Sequence, residues 1–120
     1  MGVSKREESN RSNLHNLQKR RYPVMIMVVL HYPALAPTLE ELRADKKKSV
    51  PFFENIPGLI HKTWGINEKT GRGASVYHFE DQTSADTWFN SETSQRFRAA
   101  NNASLEYFDV AAIASTKPLK

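Results

Sequence analysis

Two segments constrain this chain more than any other feature: Ile56-Pro57-Gly58-Leu59-Ile60-His61-Lys62-Thr63-Trp64 and Gly73-Ala74-Ser75-Val76-Tyr77-His78-Phe79-Glu80-Asp81. The first opens on a Pro-Gly turn and continues as a strand. A polar loop from Asn67 to Arg72, containing Gly71, follows, and the second segment returns as the other arm of a hairpin. Both arms carry large aromatic or titratable side chains at alternate positions of either parity, so both faces of the sheet are greasy. Such a sheet needs a cover on each side. The helices of a small domain supply one cover, and a second subunit or a ligand must supply the other. The pattern predicts a dimer with a pocket inside it.

Around the hairpin the elements fall in a simple order. Tyr22-Pro23 opens a strand of Val, Ile, Met and Leu that ends near His31-Tyr32, and Pro33 and Pro37 bracket the next loop. Thr38 with Glu41 three residues on reads as a capping box, predicting a helix from Leu39 to about Phe53. Leu39, Leu42, Val50 and Phe53 fall near one face, with Lys46, Lys47 and Lys48 in the middle. Pro51 should kink or end that helix, because it removes a backbone donor. The hairpin strands span Leu59 to Ile66 and Gly73 to Glu80. A second helix follows, capped by Asp81 or Thr83, with Ala85, Trp88, Phe89, Phe97 and Ala100 on its apolar face and an interruption at Asn90-Ser91. Asn101-Asn102 ends it, and Leu105 to Ala114 reads as the last strand. The order β-α-β-β-α-β is the α+β, ferredoxin-like split βαβ pattern. Right-handed crossovers put the two helices on one face of a four-stranded antiparallel sheet.

A length of 120 residues predicts one domain, here residues 23–116, with short flanks at 1–22 and 117–120. Such a domain can bury a sufficient core without staples. The absence of cysteine excludes disulfide frameworks, thiol catalysis and zinc-finger chemistry. The net charge of +4 belongs to residues 1–22, which hold six basic residues against two acidic ones. The remainder carries eleven of each sign. The tail therefore reads as a solvated, disordered terminus, with a nucleic-acid or membrane-surface arm as the alternative. The longest apolar run, Val24 to Leu30, is too short to span a bilayer, and the residues before it are polar, so no membrane segment and a cytoplasmic location are expected. The ferredoxin-like sheet of an RNA-recognition domain would need a basic face and its aromatic signature. The neutral domain has neither, so nucleic acid is not an expected partner.

Strand alternation sorts the faces. Val24, Ile26, Val28 and Leu30 suit a helix-packed core, while Met25, Met27, Val29 and His31 form a Met-rich set assigned to the open face. Lys62, Trp64, Ser75 and Tyr77 are assigned to the same open face, leaving His61 and His78 on the helix side or at an edge. A slip of one residue would invert these assignments.

The segment Pro57-Gly58-Leu59-Ile60-His61-Lys62-Thr63-Trp64, the strand end Tyr77-His78-Phe79-Glu80-Asp81, the helix start Ser84-Ala85 and Phe108-Asp109-Val110 together resemble the YdhR-type monooxygenase family of the dimeric α+β barrel superfamily. The resemblance spans roughly residues 24–114, and the basic tail lies outside it. It implies a homodimer whose sheets pack face to face, each subunit keeping a pocket between its sheet and the partner. It further implies oxygenation without metal or flavin, by a substrate acidic enough to become a carbanion that reacts directly with dioxygen. Haem-degrading relatives use an Asn, a Trp and a His in fixed places. Here Trp64 lies on a different strand from theirs and the first strand has no Asn, so haem degradation is not expected.

A cofactor-free oxygenase needs a base, a group to hold the substrate oxyanion and an apolar chamber. His31 is the candidate base because histidine is the residue type suited to proton transfer near neutral pH; the alternative is a water-exposed strand end. Lys62 could hold a phenolate by charge, or else pair with a carboxylate across the dimer. Tyr77 could donate to the same oxygen, or simply pack with its hydroxyl satisfied. Trp64 would wall a planar aromatic substrate, with Met27 and Ser75 completing the binding surface; its alternative is a dimer anchor. Arg72 reads as a loop residue near the pocket mouth, and Asp109 could pair with a cation or orient a histidine. The scattered histidines give no metal-ligand spacing, and no phosphate loop, dinucleotide fingerprint or nucleophile elbow is present. No cofactor is expected. The leading reading is a cofactor-independent monooxygenase for a small aromatic or polyketide-like substrate. The competing one is a non-catalytic ligand-binding or stress-response barrel.

Overall fold

The computed structural model describes residues 24–34 and 36–115; the expected flanks at 1–22 and 117–120 lie outside the described residues. The sequence Ile-Met-Val-Val-Leu-His-Tyr forms β1 (Ile26–Tyr32), whose branched residues suit a pleated, packed surface. β1 pairs antiparallel with β3 (Gly73–Phe79) on one side and β4 (Ser104–Asp109) on the other. β2 (Leu59–Ile66) pairs antiparallel with β3, giving the sheet order β2-β3-β1-β4. The fold is the four-stranded antiparallel ferredoxin-like α+β arrangement, with the helices on one face.

Helix α1 (Leu39–Glu54) starts where the capping residues predict: the Thr38 hydroxyl accepts from Glu41 N at 3.1 Å. It runs through Pro51 instead of stopping there. Pro51 and Lys47, one turn earlier, are both exposed, so water can satisfy the carbonyl that proline leaves without a donor. Where one second helix was expected there are two, α2 (Gln82–Phe89) and α3 (Glu92–Asn101). Asp81 caps α2, accepting from Ser84 N at 2.8 Å. Ser91 caps α3 by accepting from Ser94 N at 3.2 Å, which converts the Asn90-Ser91 interruption into a new start. Asn102 ends α3 in the left-handed region at φ 52°.

The core lies between the sheet and the helices. Ile26, Val28, Leu30 and Tyr32 of β1 pack with Tyr77 and Phe79 of β3 and with Ala85 and Phe89 of α2. Each large apolar side chain so buried stabilises the fold by about 1.5–3 kcal/mol. The β1 parity is as expected. The assignment of Lys62, Trp64, Ser75 and Tyr77 to the open face is not: all four lie on the helix side. Tyr77 and Ser75 share the parity of Phe79 and are buried at 2% and 0% exposure. On β2 the cause is a register shift between Leu59 and His61. Leu59 faces Phe79 and His61 faces His78, so Ile60 is an extra residue that reverses the alternation. His61 and His78 consequently share the open face with Met27, Val29, His31 and Val76.

Gly58, in the Pro-Gly turn that launches β2, is required twice over. Its φ is +80°, and a Cβ there would fall 2.2 Å from Ser84 Oγ. The Gly58 carbonyl also accepts from Glu80 N at 2.8 Å, tying the start of β2 to the end of β3.

Candidate functional site

Between the helices and the buried face of the sheet lies a cavity of about 330 Å³. Leu30, Lys62 and Tyr77 form its floor; Lys46, Lys48, Ser49, Phe52 and Phe53 of α1 form one wall; Trp88, Thr93, Ser94 and Phe97 close the other. Among these residues there are three lysines and no carboxylate.

Lys62 is the chemical centre of this chamber. Its Nζ lies 3.5 Å from the Phe53 ring centroid, 4.4 Å from that of Tyr77 and 4.5 Å from that of Trp64. Burial, and secondarily the nearby Lys46 charge, lower its pKa from 10.5 to about 6. The ring faces favour the ammonium and oppose that fall. The balance is an amine that can take a proton near neutral pH and then be held as a cation by the rings. The inward stripe of α1 explains why Lys46 is close. Leu42 is buried, and Lys46, Ser49 and Phe53 follow it at helical spacing, each half-buried. Lys46 pairs with the exposed Asp45 carboxylate at 3.2 Å and lies 5.7 Å from the Phe97 ring centroid.

The hydroxyls sort into sealed and available groups. Tyr32 Oη and Ser75 Oγ share a buried hydrogen bond of 2.6 Å. Burial raises the Tyr32 pKa, and raises that of Tyr77 well above the ordinary phenol range with a further push from Tyr32. Tyr77 therefore stays a phenol and can act as a donor. The Trp88 indole N–H is near enough to offset a little of that rise, yet Nε1 is buried without a formed hydrogen bond. A buried donor of this kind costs about 1–3 kcal/mol if left unsatisfied. A ligand acceptor in the cavity would relieve it.

The six candidates do not converge on one place. Lys62, Tyr77 and Trp64 gather around the Lys62 amine, and Ser75 lies beneath them, engaged by Tyr32 and outside the cavity lining. His31 and Met27 stand on the opposite face of the sheet, with His31 exposed, so neither reaches the cavity within this chain. Sequence reasoning missed Lys46, Phe53 and Trp88 as site residues. The available signal was a lysine and a serine at inward positions of α1, between Leu42 and Phe53. On the open face the His61 and His78 rings lie 4.5 Å apart between centroids. Burial and the His61 neighbour lower the His78 pKa, and His78 Nδ1 is buried without a hydrogen-bond partner. Arg72 is exposed in the hairpin loop, and Asp109 is an exposed residue opposite Ile26 in the register. Among the described residues no three His, Cys, Asp or Glu side chains converge as a metal site, and no helix is long and apolar enough to cross a membrane.

Comparison with known proteins follows the same line. The sequence profile of the family described as "Putative mono-oxygenase ydhR" matches residues 27–117. No curated protein matches the sequence. Among solved structures, the fold is similar to a monooxygenase from the gene ActVA-Orf6 of Streptomyces coelicolor, in complex with the ligand Nanaomycin D. The TM-score is 0.59 at 14% identity, covering 78% of this chain and 94% of that one. SnoaB, a cofactor-independent oxygenase from Streptomyces nogalater, gives 0.56 at 14% identity, covering 74% and 95%. The heme-degrading protein Rv3592 of Mycobacterium tuberculosis gives 0.57 at 20% identity, covering 78% and 98%. At these identities the likeness concerns the fold.

Proposed function

Because this chain belongs to the ydhR family, we propose that it is a cofactor-independent monooxygenase acting on a small aromatic or polyketide-like substrate. The observation that carries the reading is the Lys62 amine, enclosed by aromatic rings in a cavity without a carboxylate. The general kind is supported by the family and by the fold shared with SnoaB and the ActVA-Orf6 monooxygenase.

In this reading Lys62 replaces His31 as the base. The neutral amine removes a proton from a phenolic or anthrone-like substrate, and the ammonium so formed stands beside the new oxyanion. Tyr77 and the Trp88 indole N–H donate to the same oxygen. The electron-rich carbon reacts with dioxygen to a hydroperoxide, taking back a proton. Loss of water then leaves a carbonyl, so one oxygen atom enters the product and the other leaves as water. The rings of Phe53 and Trp88 hold a planar substrate and keep bulk water from the carbanion, while Trp64 backs the Lys62 amine from outside the lining.

Met27, Val29 and Val76 on the uncovered face support the homodimer, with its sheets packed together. The domain limits of 23–116 and a cytoplasmic location belong to the same proposal. The separation of His31 from the cavity favours one alternative, a dimeric barrel that binds aromatic ligands without turning them over.

The test is oxygen consumption by the purified chain with anthrones and hydroquinones. Uptake by wild type that falls at least ~100-fold in Lys62→Met, the lower range for loss of a general base, supports the reading. Thermal stabilisation by the same compounds without uptake would establish the binding barrel instead.

A further inference from the structure

The charged side chains that line the cavity are all of one sign. Lys46 and Lys48 line it from α1 and Lys62 from β2, with no acidic residue among the lining groups. Asp45 pairs with Lys46 but is 67% exposed and reaches it from the solvent side. Arg98 of α3 adds a positive charge near Tyr77, and besides Lys62 the sheet contributes the phenols of Tyr77 and Tyr32. Thr93 and Ser94, in the first turn of α3, also line the cavity, while Glu92 of the same turn pairs with Arg96 and lies outside the lining. The buried, unpartnered Trp88 N–H is a further donor without an acceptor. Ammonium groups sharing one apolar chamber repel each other, and an anion between them reverses the sign of the interaction. The rest of the lining is aromatic, and a volume of about 330 Å³ lies at the small end of ligand pockets, which run from ~300 to ~1,000 Å³.

We propose that the cavity selects an aromatic acid, a small planar ring system bearing a carboxylate held between Lys62 and Lys46, and that binding it takes up one proton at Lys62. The inference rests on reading the cavity as the substrate site, and it names the class of ligand that site prefers; with the acid bound Lys62 holds the anion as an ammonium, so its role as base belongs to neutral phenols and anthrones. The proton follows from the geometry: the bound anion makes the ammonium form of Lys62 the favoured one, while the empty aromatic chamber disfavours it. Binding therefore raises the proton affinity of an amine that burial holds near 6 in the free protein. Affinity for the acid should rise as pH falls from above neutrality towards about 6, and level off below.

The test is a calorimetric titration of the full chain at about pH 7.5, where such an amine is mostly unprotonated. The probes are 1-hydroxy-2-naphthoate and 1-naphthol, each in phosphate and in Tris, whose different ionisation heats count protons. The acid is expected to bind at least ~10-fold tighter than the naphthol, with uptake close to one proton. Lys62→Met should lose the uptake and most of the preference. Lys62→Arg, permanently charged, should keep the preference without the uptake. Lys46→Met should weaken the acid alone and leave the uptake in place. Equal affinity for both probes, binding of neither, or uptake that persists in Lys62→Met would overturn the proposal. Acid binding with proton uptake but no oxygen consumption on any substrate would remove the oxygenase reading and leave this one standing. Oxygen consumption on neutral substrates without a preference for the acid would do the reverse.

Discussion

On the helix side of the sheet Val28, Phe79 and Phe89 are sealed at 0–1% exposure; on the other side Met27, Val29 and Val76 remain half-buried and Phe108 is 39% exposed. The same four strands build both surfaces. One side packs aromatic rings tightly enough to hold an amine away from water and still leaves room for a small ligand. The other presents methionine, valine and paired histidines that no helix covers among the described residues. The contrast separates two tasks that the sequence pattern had merged: the proposed chemistry lies behind the helices, and the proposed association falls to the open face.

The largest test of that contrast compares two phenylalanines. Phe79→Ala on the sealed side should cost about 3–5 kcal/mol in denaturant unfolding, whereas Phe108→Ala on the open side should cost under ~1 kcal/mol in dilute monomer. Equal losses would mean that the open face is as fully covered as the core. The second test uses pH. Between about 6 and 10.5 the unfolded chain binds a proton at Lys62 that the folded chain does not, so stability should climb as pH rises through that window. The slope is at most about 1.4 kcal/mol per pH unit for one group. Lys62→Met should raise stability at neutral pH and flatten this dependence, as read from melting temperature against pH.

A third comparison places a charge on each face. Met27→Glu should shift sedimentation from dimer to monomer with the helical signal intact. Trp64→Glu should lower the melting temperature and leave sedimentation unchanged, because it removes a large ring from the helix side of the sheet. A Met27→Glu variant that stays dimeric would move the interface elsewhere. The smallest effect concerns His78, whose pKa lies below the usual 6.5. Its protonation is easier in the unfolded chain, so stability should fall as pH drops below that value, and His78→Gln should remove part of the loss, about 1 kcal/mol or less.

Most of the fold was legible because its signals are local. Thr38 and Asp81 announce helices, Pro57-Gly58 announces a turn, and the alternation through Ile26, Val28 and Leu30 marks a core strand. The second strand was misassigned for a physical reason. Parity counted from Leu59 predicts Lys62 on the opposite face, and only the extra residue at Ile60 restores it to the core side; nothing in the local sequence marks that residue as unpaired. Ser75 and Tyr77 were misplaced because register cannot be read from the sequence, and both carry a hydroxyl into the buried face. Burial satisfies that of Ser75 internally, through Tyr32. Lys62, Tyr77 and Trp64 were legible as residue types suited to one chamber. The inward placement of Lys46 and Trp88 depended on how α1 and the split second helix rotate against the sheet, and short-range periodicity does not fix that rotation.

The chain holds two tryptophans, Trp64 and Trp88, and both belong to the same chamber: Trp88 lines it and Trp64 flanks Lys62. Indole emission responds to nearby charge and to electron-accepting rings, so the protein's intrinsic fluorescence is in effect a reporter wired to this one cavity. Protonating Lys62 should change the emission along a single titration curve, and a quinone-like occupant should quench it. Events on the open face, including association of two chains, should leave the spectrum almost unchanged.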